Sequence, residues 1–173
     1  MNSSTAQKPD VSLFTDGACI GNPGPGGWAF ILKHPDSGTV REGSGGMAAT
    51  TNNRMEITAV ICGLESLKRS SLVKIHSDSE YLVLAIEERL ERWKAAGWRR
   101  GKRSKDTVKN LDLWKRLYDL LQKHQVQAQW VKAHAGHPEN ERCDHLALAE
   151  AVKFKGKVRS SGDSTAEELD LFT

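Results

Sequence analysis

The segment VSLFTDGA (11–18) alternates apolar and polar positions and runs into glycine, the pattern of a half-buried strand. GWAFILKH (27–34) and the stretch from Thr39 to Met47 predict two more strands. Pro35, Asp36, Ser37 and Gly38 between them supply turn chemistry, so a hairpin or meander is expected. Thr51 or Asn52 is placed to cap a helix reaching about Lys68, in which Ile57, Val60, Ile61, Leu64 and Leu67 recur at helical spacing. Gly63 inside it costs about 1 kcal/mol relative to alanine unless something packs close there. LVKIHSD (72–78) predicts a short strand, with a helix from about Glu80. Residues 90–110 predict a short helix and a loop. In VKNLDLWKRLYDLLQKH (108–124), Val108, Leu111, Trp114, Leu117, Leu120 and Leu121 share one helical face. VQAQWVKAH (126–134) predicts the last strand, and Glu139 to about Val152 the last helix. The order β-β-β-α-β-α-α-β-α predicts an α/β fold, a mixed sheet with helices on both faces.

A chain of 173 residues can bury one real core. Residues 1–9 are expected to form a disordered leader, 10–154 one domain, and 155–173, charged and rich in Ser, Gly and Thr, a flexible tail. The tail's last residues, EELDLF (167–172), have the composition of a docking peptide, although disorder is the preferred reading. No run approaches 18 apolar residues, and the polar start MNSSTAQKPD has no apolar core of a secretory signal. Cys19, Cys62 and Cys143 are scattered and odd in number, which fits a reducing compartment rather than a disulfide framework. A cytoplasmic, monomeric protein without a membrane partner is therefore expected. Charge changes this picture locally. Between Gly97 and Lys109 six cations face the single acid Asp106, a net of +5 in a chain whose total is +3. Such a patch suits a polyanion, and a solvated loop is the alternative.

Gly24-Pro25-Gly26-Gly27-Trp28-Ala29 formally matches a dinucleotide-binding glycine motif. That motif must open a helix whose amides hold pyrophosphate, whereas a strand follows here and Pro25 removes an amide. A Gly-Lys-Ser/Thr phosphate loop is absent. The glycines are read instead as a tight hairpin connection, with Asn22 at its start as a polar contact.

Four acids attract attention. Asp16 lies within the first strand, where aspartate is disfavoured. Glu56 is about one turn into the first long helix, Asp78 at the carboxyl end of the fourth strand, and Asp144 on the last helix. Each alone reads as a cap or surface residue. Together on one sheet they would raise each other's pKa values, an arrangement that divalent cations relieve. Acids combined with a basic, Trp-bearing segment point to metal-dependent chemistry on nucleic acid. His134, His137, Cys143 and His145 could suggest zinc, but no Cys-x-x-Cys partner completes such a site, and His137 reads as a turn residue.

TDGACIGNPGPGGW (15–28), TNNRMEI (51–57), SDSEYL (77–82), GW (97–98) with the basic run after it, VKNLDLW (108–114) and VKAHAGHPENERCDHLA (131–147) together resemble bacterial type 1 ribonuclease H, from about Val11 to Val152. The resemblance implies the ribonuclease H-like fold, a five-stranded mixed sheet in the order 3-2-1-4-5. It also implies endonucleolytic hydrolysis of the RNA strand of RNA/DNA hybrids with two Mg²⁺ (or Mn²⁺) ions, leaving 5′-phosphate and 3′-hydroxyl ends. By that resemblance Asp16 bridges both metals, Glu56 and Asp78 hold the ion on the leaving-group side, and Asp144 holds the ion that activates water. His134 assists proton transfer or product release.

The resemblance also places Cys19, Asn22 and Asn52 on RNA sugars and backbone, with Asn53 close by. Thr51 and Asn110 fall on DNA phosphate contacts. Trp93, Trp98, Arg99, Arg100, Lys102, Arg103 and Lys109 fall in a basic handle spanning about 89–110. Core packing is the plainer reading of a tryptophan, and is preferred for Trp114. Arg89, Ala95, Ala96 and Glu80 depart from residues common in relatives, which bears on DNA-strand binding rather than on the chemistry. Two other readings are a hybrid-binding module without activity and another nuclease or integrase on the same fold. The complete acid set opposes the first, and the basic handle with the His134 loop opposes the second.

Overall fold

The structure, a computed structural model, describes residues 8–163, for 158–163 the backbone alone. Five strands, β1 (Val11–Cys19), β2 (Gly24–Lys33), β3 (Val40–Thr50), β4 (Leu72–Ser77) and β5 (Gln125–Trp130), form one sheet in the order β3-β2-β1-β4-β5. β1–β2 and β2–β3 pair antiparallel; β1–β4 and β4–β5 pair parallel. The helices are α1 (Asn52–Glu65), α2 (Glu80–Leu84), α3 (Leu90–Ala95), α4 (Leu111–Leu121) and α5 (Pro138–Asp163). A π-helical turn, Ala85–Arg89, joins α2 to α3.

Strand alternation divides the apolar residues between two faces. Val11 and Leu13 of β1, Phe30 and Leu32 of β2, and Val73 and Ile75 of β4 bury against Ile57, Val60, Ile61 and Leu64 of α1. Trp114, Leu117 and Leu120 of α4 complete that core. On the other face Ala29 and Ile31 pack on Cys143 and Ala147 of α5, beside Phe14 and Ala18.

Two neighbouring glycines let the helices close on the sheet. A Cβ at Gly17 would stand 2.4 Å from the Glu56 backbone nitrogen of α1. One at Gly27 would stand 2.0 Å from the Ala147 carbonyl oxygen of α5. This corrects the reading of the glycine run. Gly24, Gly26 and Gly27 belong to β2, and the connection itself is 20–23, with Gly21 at φ +70°. The sequence signalled a turn, but two of these glycines are small because elements press on them.

Other boundaries moved for physical reasons. α1 stops at Glu65, where Arg41 of β3 donates to the Ser66 carbonyl at 2.9 Å and satisfies an end of the helix. β5 ends at Trp130, so His134 lies in a loop at φ +52° rather than on a strand. α4 begins only after Asn110, which takes the left-handed conformation at φ +60°. Val108, expected as its first apolar position, is buried before it. α5 continues to Asp163, past the expected end near Val152 and into the segment expected to be flexible. Of the expected leader, Lys8 is described and pairs with Asp36; 1–7 and the EELDLF segment lie outside the described residues.

Candidate active site

Asp16 is buried on β1, and the Gly17 amide donates to its Oδ1 at 2.9 Å. Glu56 is buried in α1, whose start is fixed by the sequence around it. The Thr51 hydroxyl accepts from the Arg54 amide at 3.3 Å as N-cap, and the Asn52 amide donates to Asn22 Oδ1 at 3.1 Å. The turn after β1 is therefore tied to the helix that carries Glu56. Asp78 directly follows β4, and Ser79 caps α2 after it. The crossing of α1 over β1, and the parallel pairing of β1 with β4, bring three carboxylates together. Ligand oxygens of Asp16, Glu56 and Asp78 all lie within 4.8 Å of one another.

The electrostatic consequence is strong. Burial first, then Asp78, pushes the Asp16 carboxyl up to about 7. Burial and the neighbouring Asp16 hold Glu56 well above the carboxylate range. Burial, then Asp144, raises Asp78, while the Asn140 side chain lowers it. Asp144, on α5, stands outside the 4.8 Å cluster, yet its charge reaches both Asp16 and Asp78. His134 is near enough to lower the Asp78 carboxyl.

The residues fit divalent metal. Among the described residues the buried Glu56 Oε2 has no hydrogen-bond partner, and the donor set is entirely carboxylate oxygen, the choice of hard cations. Mutual repulsion among two buried carboxylates and a half-buried third is what such a cation offsets.

The expected substrate residues fall into three groups. Around the acids, the Cys19 thiol donates to the Thr50 and Gly24 carbonyls at 3.4 and 3.5 Å, Asn22 binds the start of α1, and Asn52 and Asn53 form its first turn. Thr51 and Asn110 are bridged through Arg54, which contacts Asn110 Oδ1 at 3.5 Å and pairs bidentately with Asp112 at 2.9 and 2.6 Å. The basic segment is a closed loop, held by an Arg99–Thr107 bridge and by Arg100 N donating to the Asp106 carbonyl at 3.1 Å. Arg99, Arg100, Lys102, Arg103 and Lys109 are exposed on it. Trp93, Arg92, Arg99, Arg100 and Lys102 line a cavity of about 440 Å³.

Trp98 differs from expectation. Its ring is buried to 9% exposure and packs edge-on against Tyr118, so it belongs to the core rather than to a surface. Trp114 is fully buried, as expected. Two residues escaped the sequence reading. Trp130 donates its indole N–H to the Asp78 carbonyl at 3.0 Å, and Asn140 is buried beside the Asp78 carboxyl. Neither position is marked by spacing; only the pairing of β5 with β4 and the docking of α5 bring them there.

The open mixed sheet thus carries, where β1, β4 and α1 meet, a cluster of carboxylate oxygens of the kind that holds divalent metal in enzymes. The family model for RNase H matches residues 8–152, and the chain belongs to the ribonuclease H family. Similar proteins include Ribonuclease H of Nitratidesulfovibrio vulgaris (strain DP4), 53% identical over 145 residues, which are 83% of this chain and 90% of that protein. Ribonuclease H of Chelativorans sp. (strain BNC1) is 50% identical over 158 residues, 91% of this chain and 94% of that one. Among solved structures, LC9-RNase H1, a type 1 RNase H with the type 2 active-site motif, superposes with a TM-score of 0.74 at 31% identity, covering 87% of this chain and 75% of that one. LC11-RNase H1 in complex with RNA/DNA hybrid shares the fold, with a TM-score of 0.63 at 21% identity over 83% of this chain and 97% of that one. The protein is an endonuclease that cleaves RNA/DNA hybrids, and its family is metal-dependent. Among the described residues no helix is long and apolar enough to cross a membrane.

Proposed function

We propose that Asp16, Glu56, Asp78 and Asp144 hold two Mg²⁺ ions and that this site cuts the RNA strand, leaving 5′-phosphate and 3′-hydroxyl ends. The convergence of Asp16, Glu56 and Asp78 oxygens within 4.8 Å carries the reading. Divalent cations held there supply an activated water and stabilisation of the leaving oxygen. The chain's own groups do the rest. Asp16, whose carboxyl feels Asp78, Asp144 and Glu56 alike, would be the ligand common to both ions. Glu56 and Asp78 would hold metal together with it, and Asp144, half-buried on α5, would add a further carboxylate. His134, in its loop beside Asp78, accepts or returns a proton at the departing product. Asn22, Asn52, Asn53 and Cys19 border the cluster and face the RNA strand, while Thr51 and Asn110, linked by Arg54, receive a DNA phosphate. Trp93 and the cations from Arg99 to Lys109 grip the DNA strand. The working unit is a cytoplasmic monomer.

A labelled RNA/DNA hybrid tests this, with RNA/RNA and DNA/DNA duplexes as controls. Cleavage of the RNA strand alone, with Mg²⁺ and not with EDTA, is expected. Metal-independent cleavage would sink the assignment of the acids.

A further inference from the structure

We propose that Trp130 is a positioning residue for Asp78, acting through the backbone carbonyl at the turn from β4 into α2; the proposal rests on the reading of Asp78 as a metal ligand. Ser77 and Trp130 are the last register partners of β4 and β5, and the Val131 amide donates to the Ser77 carbonyl at 2.9 Å. There the ladder ends. The next carbonyl, that of Asp78, receives the Trp130 indole N–H at 3.0 Å, so a side chain extends the sheet's hydrogen bonding by one residue. On the other side Ser79 N donates to Ser77 Oγ at 3.1 Å, and Ser79 Oγ accepts from Leu82 N at 3.3 Å. The peptide that carries the Asp78 carboxylate is thus fixed before, at and after the residue.

Burial does not account for this tryptophan: its side of the sheet edge leaves Trp130 51% exposed. A large aromatic ring kept half in water, with its one polar atom engaged, is held there for that atom. Ligand placement in a metal site depends on such supporting bonds, because a carboxylate displaced by a fraction of an ångström no longer completes the site. Without the indole N–H the peptide after Asp78 can rotate, and the carboxylate can leave the cluster with Asp16 and Glu56. Asn140, on α5 and buried, lies near enough for its side chain to lower the same carboxyl, so β5 and α5 both bear on Asp78 through residues other than the four acids.

Trp130→Phe keeps the ring and removes the donor. In the full chain without substrate, Mn²⁺ binding measured by calorimetry should weaken about fivefold, the equilibrium equivalent of one lost hydrogen bond. The Mg²⁺ concentration for half-maximal cleavage should rise by a similar factor and kcat should fall, with KM for the hybrid unchanged. Unaltered Mn²⁺ affinity would overturn the proposal, as would a raised KM with unaltered metal dependence, which would make Trp130 a substrate contact. If the native protein binds no Mn²⁺ while still folded, the metal-site reading itself fails; if it binds and the variant binds equally, only the role of Trp130 fails. Should the variant not fold, hydrogen exchange of the Trp130 indole N–H in the native protein decides: slow exchange despite the exposed ring supports the bond, and solvent-rate exchange overturns it.

Discussion

The α carbon of Gly17 faces the backbone nitrogen of Glu56 so closely that a methyl group there would stand 2.4 Å from it. The residue after the central aspartate is thus the point where α1 rests on β1, and the absent side chain is what lets Glu56 reach Asp16. The neighbours are backbone atoms and Met55, which cannot swing aside. Gly17→Ala should destabilise the protein by about 1–3 kcal/mol, as overpacking does. It should also lower kcat by more than tenfold at saturating Mg²⁺. Urea unfolding and single-turnover cleavage measure the two effects, and a variant with native kcat would show that the helix need not sit so close.

Asp16→Asn should abolish turnover while leaving hybrid binding. It should also stabilise the metal-free protein at neutral pH, because it removes a buried charge from beside Glu56 and Asp78. A rise in Tm of a few degrees in EDTA is expected. Surviving activity would mean that Asp16 is not the shared ligand.

The pH dependence follows from the same group. Asp16 titrates near 3.8 when unperturbed and at about 7 in the fold. Between these values the folded protein keeps a proton that the unfolded chain has released. The favourable contribution is therefore complete below about pH 4 and is lost as pH rises through about 7. In EDTA, calorimetry should show this part of the stability declining across that window, and Asp16→Asn should flatten the decline. Metal binding runs the opposite way, since the ligands must lose protons: Mn²⁺ affinity should strengthen from pH 6 to 8.

Replacing Arg99, Arg100, Lys102 and Arg103 by alanine should raise KM for the hybrid more than it lowers kcat. The four side chains are exposed on a loop closed by backbone bonds, so their loss leaves the fold intact. The dependence of log KM on log salt should become shallower by up to roughly three to four, the counterions no longer released. An unchanged KM would make the loop ordinary solvated surface.

Arg54→Met severs the bidentate pair with Asp112 and the link to Asn110. The Asp112 side chain is 64% exposed, so the stability loss should stay at about 1 kcal/mol or less. The larger effect should fall on KM, because Asn110 loses the partner that orients it. Equal KM in variant and native protein would remove Asn110 from the substrate contacts.

Alternation and helical spacing were enough to place all five strands and the main helices, because strand and helix periods are written into which positions must be apolar. The same four acids could be named before any geometry, Asp16 most firmly, since an aspartate inside a strand needs a reason. The resemblance carried by six separated motifs supplied the strand order and the chemistry. What the linear chain did not contain was contact. Gly26 and Gly27 read as a turn until α1 and α5 were seen pressing on them. Trp98 falls in the basic handle by its place in the chain, and only the fold shows its ring buried against Tyr118. Trp130 and Asn140 had no motif of their own, and they act on Asp78 only because β5 pairs with β4 in one register and α5 docks across the sheet. The pattern of apolar residues determines which segments exist and which faces they bury. Distances between side chains far apart in the chain, and the pKa values those distances create, exist only after the elements have packed.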